Sequence, residues 1–90
     1  MTVSDDLIAS RLLELLSQRE PNASVCPSEV ARSLASSEPQ WRALMPEVRR
    51  VALALAAAGV VLATQGDTVI DLAGAPAGPI RLRRGAAFRR

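Results

Sequence analysis

Apolar residues recur at helical spacing from the start of the chain. Leu7, Ile8, Leu12, Leu15 and Leu16 share one helix face, with Arg11, Glu14 and Gln18 opposite. Ser4 precedes them as a natural N-cap, and Asp5 and Asp6 suit the positive end of the helix dipole. The pattern predicts a first helix over residues 4–19, stopped by Glu20-Pro21-Asn22. Ala23 to Val25 reads as a short extended piece. Cys26-Pro27-Ser28-Glu29 then opens a second helix, because proline is tolerated at the first helical position, where no donor is needed. Val30, Ala31 and Leu34 form its apolar stripe, and Ser36-Ser37-Glu38-Pro39 ends it.

Gln40 to Met45 predicts one helical turn carrying Trp41 and Leu44, with Pro46 starting the third helix proper. Val48, Val51, Ala52, Leu55 and Ala58 face the core in this reading. Gly59 suits the residue just past the helix end, where a left-handed conformation is wanted. Leu53, Ala54 and Ala57 fall on the outer face and make a smooth stripe suited to a second copy or a partner helix. Val60 to Gln65 and Thr68 to Leu72 then read as two strands around a Gly66-Asp67 turn. Ala73 to Gly78 is a loop. From Pro79 to Arg84, Ile80 and Leu82 alternate with Arg81 and Arg83, which predicts an extended segment laid along the domain with its arginines in water. Residues 85–90 read as a loose basic tail.

This order is that of an α+β, mainly helical winged-helix domain. It is a three-helix bundle with a helix-turn-helix pair and a small antiparallel β-hairpin. The second and third helices form the pair, across an unusually long turn. Ninety residues leave no room for a second core, so residues 4–84 are assigned to one domain.

Composition narrows the chemistry. All eleven basic residues are arginine, and there is no histidine. The net charge of +2 hides an asymmetry: residues 1–38 carry −3, whereas residues 39–90 carry +5, concentrated in Arg81, Arg83, Arg84, Arg89 and Arg90. Such a segment attracts phosphate, acidic protein surface or anionic membrane. One cysteine forms no intramolecular disulfide, and without histidine no zinc-type ligand set exists, so no metal or cofactor is expected. The longest apolar run, Val51 to Ala63, falls short of the roughly 20 residues a membrane span needs. With no signal-peptide pattern at the N-terminus, a cytoplasmic protein without membrane contact is expected.

Several short segments stand in a fairly specific order: Cys26-Pro27-Ser28-Glu29-Val30-Ala31-Arg32, Trp41-Arg42-Ala43-Leu44-Met45, Val48-Arg49 and Gly78-Pro79-Ile80-Arg81-Leu82-Arg83. Together they resemble a bacterial family catalogued as domain of unknown function 3253, over Leu7 to Arg83. The resemblance implies a small winged-helix-like protein and supplies no activity.

The residues themselves offer two functions. Arg49 and Arg50 fall in the first turns of the third helix, where a helix-turn-helix protein meets the major groove. Arg81, Arg83 and Arg84 could lie along DNA phosphates and give sequence-blind, salt-dependent binding. The rest of the third helix is nearly all Ala, Leu and Val, and the hairpin tip carries Asp67, which repels phosphate. The alternative is a dimerisation or protein-interaction module with no DNA binding. Trp41 suits a core plug better than a stacking platform. Cys26, ahead of a helix start, has no His, Lys or Tyr in the chain to act as its base. No catalytic set emerges, so an enzyme is not expected.

Overall fold

A computed structural model describes residues 3–74 and 76–89. The elements, in chain order, are α1 (Asp5–Ser17), β1 (Ser24–Val25), α2 (Pro27–Leu34), α3 (Glu38–Ala57), β2 (Val61–Gln65), β3 (Thr68–Ile70), a single 3-10 turn (Leu72–Gly74) and β4 (Arg81–Arg84). The chain is α+β and mainly helical, with three α-helices and a four-stranded antiparallel sheet of order β1-β4-β2-β3.

The core follows the apolar spacing. Ile8, Leu12 and Leu16 of α1 are fully or almost fully buried, one per helical turn. They meet Val30 and Ala31 of α2, Val48, Val51 and Ala52 of α3, and Val25, Val61, Ala63 and Leu82 of the sheet. Burying each larger aliphatic side chain contributes about 1.5–3 kcal/mol. Leu7, read as part of the α1 stripe, lies outside it and is 45% exposed. The Ser4 hydroxyl accepts from the Leu7 N–H (3.2 Å) and closes the first turn of α1.

The sheet is larger than the predicted hairpin. β2 and β3 form that hairpin, with Ala63 opposite Ile70 and Gln65 opposite Thr68. β4, expected only as an extended segment along the domain, lies between β1 and β2, so that Leu82 stands opposite Val25 on one side and Ala63 on the other. The alternation from Ile80 to Arg83 is therefore that of a central strand. Its backbone groups complete a ladder that β2 would otherwise present as an open edge.

The α3 helix also differs. It is one helix of 20 residues, not a turn followed by a helix starting at Pro46. Ser37 caps it, its hydroxyl accepting from the Gln40 N–H at 3.3 Å. Proline removes one helical hydrogen bond and crowds the carbonyl four residues back. Here Pro46 and Arg42 both lie on the solvent side, so the freed carbonyl is open to water and the helix continues. The link from α2 is residues 35–37 alone, a short turn where a long one was expected.

The end of α3 explains where the chain goes next. Gly59 adopts φ +77, and the Val60 N–H donates to Leu55 O (2.9 Å) while the Gly59 N–H donates to Ala56 O (3.0 Å). These two bonds satisfy the last helical carbonyls and turn the chain into β2. The Gly85 N–H donates to Val60 O and the Ala87 N–H to Gly59 O, both 2.9 Å. A Cβ at Gly85 would collide with the Gly59 carbonyl. Residues 85–89, read from sequence as loose, are thus folded back on the end of α3, and Phe88 packs against the core. Arg90, counted in the basic tail, lies outside the described residues.

Candidate interaction surface

The five arginines expected to hold phosphate do not converge. Arg50 makes a two-pronged ion pair with Asp5 at the start of α1, Nη1 to Oδ2 at 2.7 Å and Nη2 to Oδ1 at 2.8 Å. The pair holds the Asp5 carboxyl below the usual carboxylate range and raises Arg50, chiefly through these hydrogen bonds. Arg84 lies at the other end of the same helix. Its Nη2 donates to Leu16 O and Arg19 O (both 2.9 Å) and to Ser17 O (3.4 Å), bracing the carbonyl end of α1, where Leu16 O also accepts the Arg19 N–H at 3.2 Å. The two anchor points are about 18 Å apart along α1. Arg83, on the opposite side of β4 from Arg84, has no acid partner among the described residues, and its Nε is buried without a hydrogen bond.

Arg81 joins a polar junction around β1. Its guanidinium donates to Ser24 Oγ (2.9 Å), Ser24 O (3.0 Å) and Cys26 Sγ (2.7 Å). Arg19 reaches Ser24 O (3.1 Å) and grips Glu29 with both terminal nitrogens, at 3.0 and 3.3 Å. Glu29 also accepts the Cys26 N–H at 2.7 Å, tying down the start of α2. Its hydrogen bonds to Arg19 lead the contributions that hold the Glu29 carboxyl below its ordinary value. Three arginines and one carboxylate thus stitch the end of α1, β1, the start of α2 and β4 together. The sequence signal for this was the strand alternation at 80–84, which places Arg81 and Arg84 on opposite faces of β4.

The outer side of α3 has the opposite character. Two adjoining depressions share Leu53 and Leu72 as walls. One lies between Leu53, Ala56 and Ala57 of α3, Leu62 of β2 and the Ile70–Ala73 segment, and carries Asp71. The other runs past Pro46, Arg49 and Arg50 to Pro76. Leu53 and Leu62 are 36% and 41% exposed, and both project into this apolar groove. The outer stripe read at Leu53, Ala54 and Ala57 is exposed as expected. Arg49 is exposed and makes no ion pair among the described residues. Because α3 starts at Glu38, Arg49 and Arg50 sit three turns into the helix rather than in its first turns.

A cluster that sequence reasoning missed stands at the start of α3. Trp41 is half-buried against the edge of the core, and the guanidinium carbons of Arg32 and Arg42 lie 4.6 and 4.9 Å from its ring centre. Arg42 also bonds Glu38 Oε1 at 2.9 Å, whereas Arg32 has no acid partner among the described residues. The one available signal was the spacing of Arg42 next to Trp41; Arg32 arrives from α2 through the short turn.

The sequence profile of a family described as a protein of unknown function, DUF3253, matches residues 5–85. The chain belongs to this family. The match runs from the start of α1 to the residue after β4 and so takes in the whole sheet, the junction and the groove. Membership in DUF3253 brings no activity with it, and no curated protein matches the chain. Among the described residues of this DUF3253 chain, no group of three or more His, Cys, Asp or Glu side chains could hold a metal ion. No described helix is long and apolar enough to cross a membrane.

Proposed function

We propose that the chain is a protein-interaction module, a non-catalytic winged-helix variant that receives its partner along the outer face of α3. In this reading α2 and α3 are the helix-turn-helix pair and β2–β3 is the wing. The observation that carries it is the apolar groove between α3 and the end of the hairpin, flanked by exposed Leu53 and Leu62. A winged helix that reads DNA uses this side of the molecule and lines it with base-edge donors and cations. Here alanine, leucine and proline make up most of the lining, and of the two arginines at its Pro46 end Arg50 is held by Asp5. Arg50, Arg81 and Arg84 support the same reading, since each is engaged within the chain.

A photo-crosslinking amino acid at Leu53, with one at Leu7 as control, which is exposed and does not line the groove, tests this in the native host. Protein adducts specific to position 53 are the expected result. Equal or absent labelling at both positions overturns the proposal.

The Arg32–Trp41–Arg42 cluster favours a second reading, sequence-blind nucleic-acid binding. Two cations flank an aromatic face at the start of α3, and one of them, Arg32, has no acid partner among the described residues. Fluorescence anisotropy with mixed-sequence duplex at low salt separates the readings. Binding that weakens steeply with salt and is lost in Arg32→Ala supports nucleic acid. No binding at micromolar protein leaves the groove as the functional surface.

A further inference from the structure

The groove is self-complementary in charge, and that points to its occupant. Leu53 is a wall common to both depressions and so marks the middle of the groove. On one side of it stands Arg49, exposed and without an acid partner among the described residues. On the other stands Asp71, whose Oδ1 accepts the Ala73 N–H at 2.9 Å while its second oxygen has no hydrogen-bond partner among the described residues. We propose that the groove is filled by a second copy of this chain, packed two-fold with α3 antiparallel to α3 and the axis passing near Leu53. The proposal rests on the interaction-module reading above and names its partner.

The register follows from the sequence. An antiparallel pair centred on Leu53 sets residue 49 of one copy opposite residue 57 of the other. Ala57 lines the depression that carries Asp71. Each Arg49 therefore falls on the partner copy's Asp71 end, twice per dimer, as an isologous contact requires. Ala54 and Ala57 leave room for close approach of the helix backbones, and Leu53 packs near its own counterpart. A groove from Pro46 to Ala57 is about 17 Å long. That is a small interface, so the expected dissociation constant is of micromolar order.

Sedimentation equilibrium of the full chain from about 10 µM to about 1 mM tests this. The average mass should rise toward twice that of the chain. Leu53→Glu and Arg49→Glu should stay at the single-chain mass while keeping the wild-type circular dichroism, as both side chains are exposed. Leu7→Glu should dimerise like wild type. Asp71→Asn keeps an oxygen for the Ala73 N–H and should weaken the dimer roughly tenfold. The charge-swapped pair Arg49→Glu with Asp71→Arg should recover association. A wild-type chain of single mass throughout, or a dimer that survives Leu53→Glu, overturns the proposal. If the wild type is single while position 53 crosslinks to a different protein, the self-association fails and the interaction-module reading stands. If position 53 captures nothing, both fail.

Discussion

The junction around β1 and the groove along α3 use arginine in opposite ways. In the junction, Arg19, Arg81 and Arg84 point at backbone carbonyls, a hydroxyl, a thiol and one carboxylate, and their role is to hold elements together. Beside the groove, Arg49 points at no acid and borders apolar walls. Arginine count and net charge are blind to this difference. What separates the two is the supply of orphan acceptors. α1 ends next to β4 with carbonyls that helical N–H groups do not fully satisfy, and one guanidinium there reaches several at once. The middle of α3 has its carbonyls bonded within the helix and only Arg50 meets an acid there, Asp5, so Arg49 beside it is left for an external partner.

If the comparison is right, the largest effect belongs to Arg84. Replacing it with Ala takes the charged donor from the carbonyls of Leu16 and Arg19, leaving Leu16 O with the Arg19 N–H alone, and removes the contact with Phe88, whose ring centre lies 4.8 Å from the guanidinium. A hydrogen bond from a charged group contributes about 1.5–3 kcal/mol, and more than one is lost. Arg84→Ala should cost about 3 kcal/mol in urea unfolding, with the slope against urea unchanged. A cost below about 0.5 kcal/mol, the level of an ordinary surface site, would remove the distinction between the two regions.

Glu29 comes next. Glu29→Gln keeps an oxygen for the Cys26 N–H but loses the charge that Arg19 grips. Both side chains are about one-third exposed, at 34% and 33%, so solvent screening limits the loss to about 1 kcal/mol. The pH dependence carries a sign. The folded-state pKa of Glu29 is lowered, so its stabilisation is fully present above the ordinary glutamate value of about 4.3 and is lost as pH falls through the lower folded value. Asp5 acts in the same direction through Arg50. Urea midpoints measured downward from neutral pH should fall in wild type through this acid range, and Glu29→Gln should fall less. An equal fall in both would show that the ion pair is not formed in solution.

The helices and most of the core were legible because their signals are local: capping serines, a period near 3.6, and a glycine just past Ala58. Leu82 and Ile80 were legible as apolar positions, but the pairing of β4 was not. Its partners are β1, 57 positions away where Val25 faces Leu82, and β2, about 20 positions away, and alternation gives a strand's faces without naming its neighbours. The continuous α3 was missed because Pro46 reads as a helix start, and only its exposure shows that the lost hydrogen bond is tolerated there. The scattering of Arg50, Arg81 and Arg84 was out of reach for the same reason as β4. Each partner group is long-range, except that Asp5 could be guessed from the unbalanced acids of the first turn. The apolar stripe at Leu53, Ala54 and Ala57 was read correctly from helical spacing, whereas Asp71 and Leu72 join it only because the 3-10 turn brings them beside α3.

The smallest expected effect on folding sharpens the comparison most. Arg49→Ala removes a side chain with no acid or side-chain hydrogen-bond partner among the described residues, on an exposed helix face where alanine has the better helix propensity. Its stability, measured at a concentration low enough to keep the chain single, should lie within about 0.5 kcal/mol of wild type. Its self-association at high concentration should nevertheless fall with that of Arg49→Glu, since both lack the guanidinium that reaches the second copy. Arg84→Ala should show the reverse, a large loss of stability and unchanged association of whatever remains folded. An Arg49→Ala variant that unfolds as readily as Arg84→Ala would mean that Arg49 also serves the fold. The groove would then have lost the feature that distinguishes it from the junction.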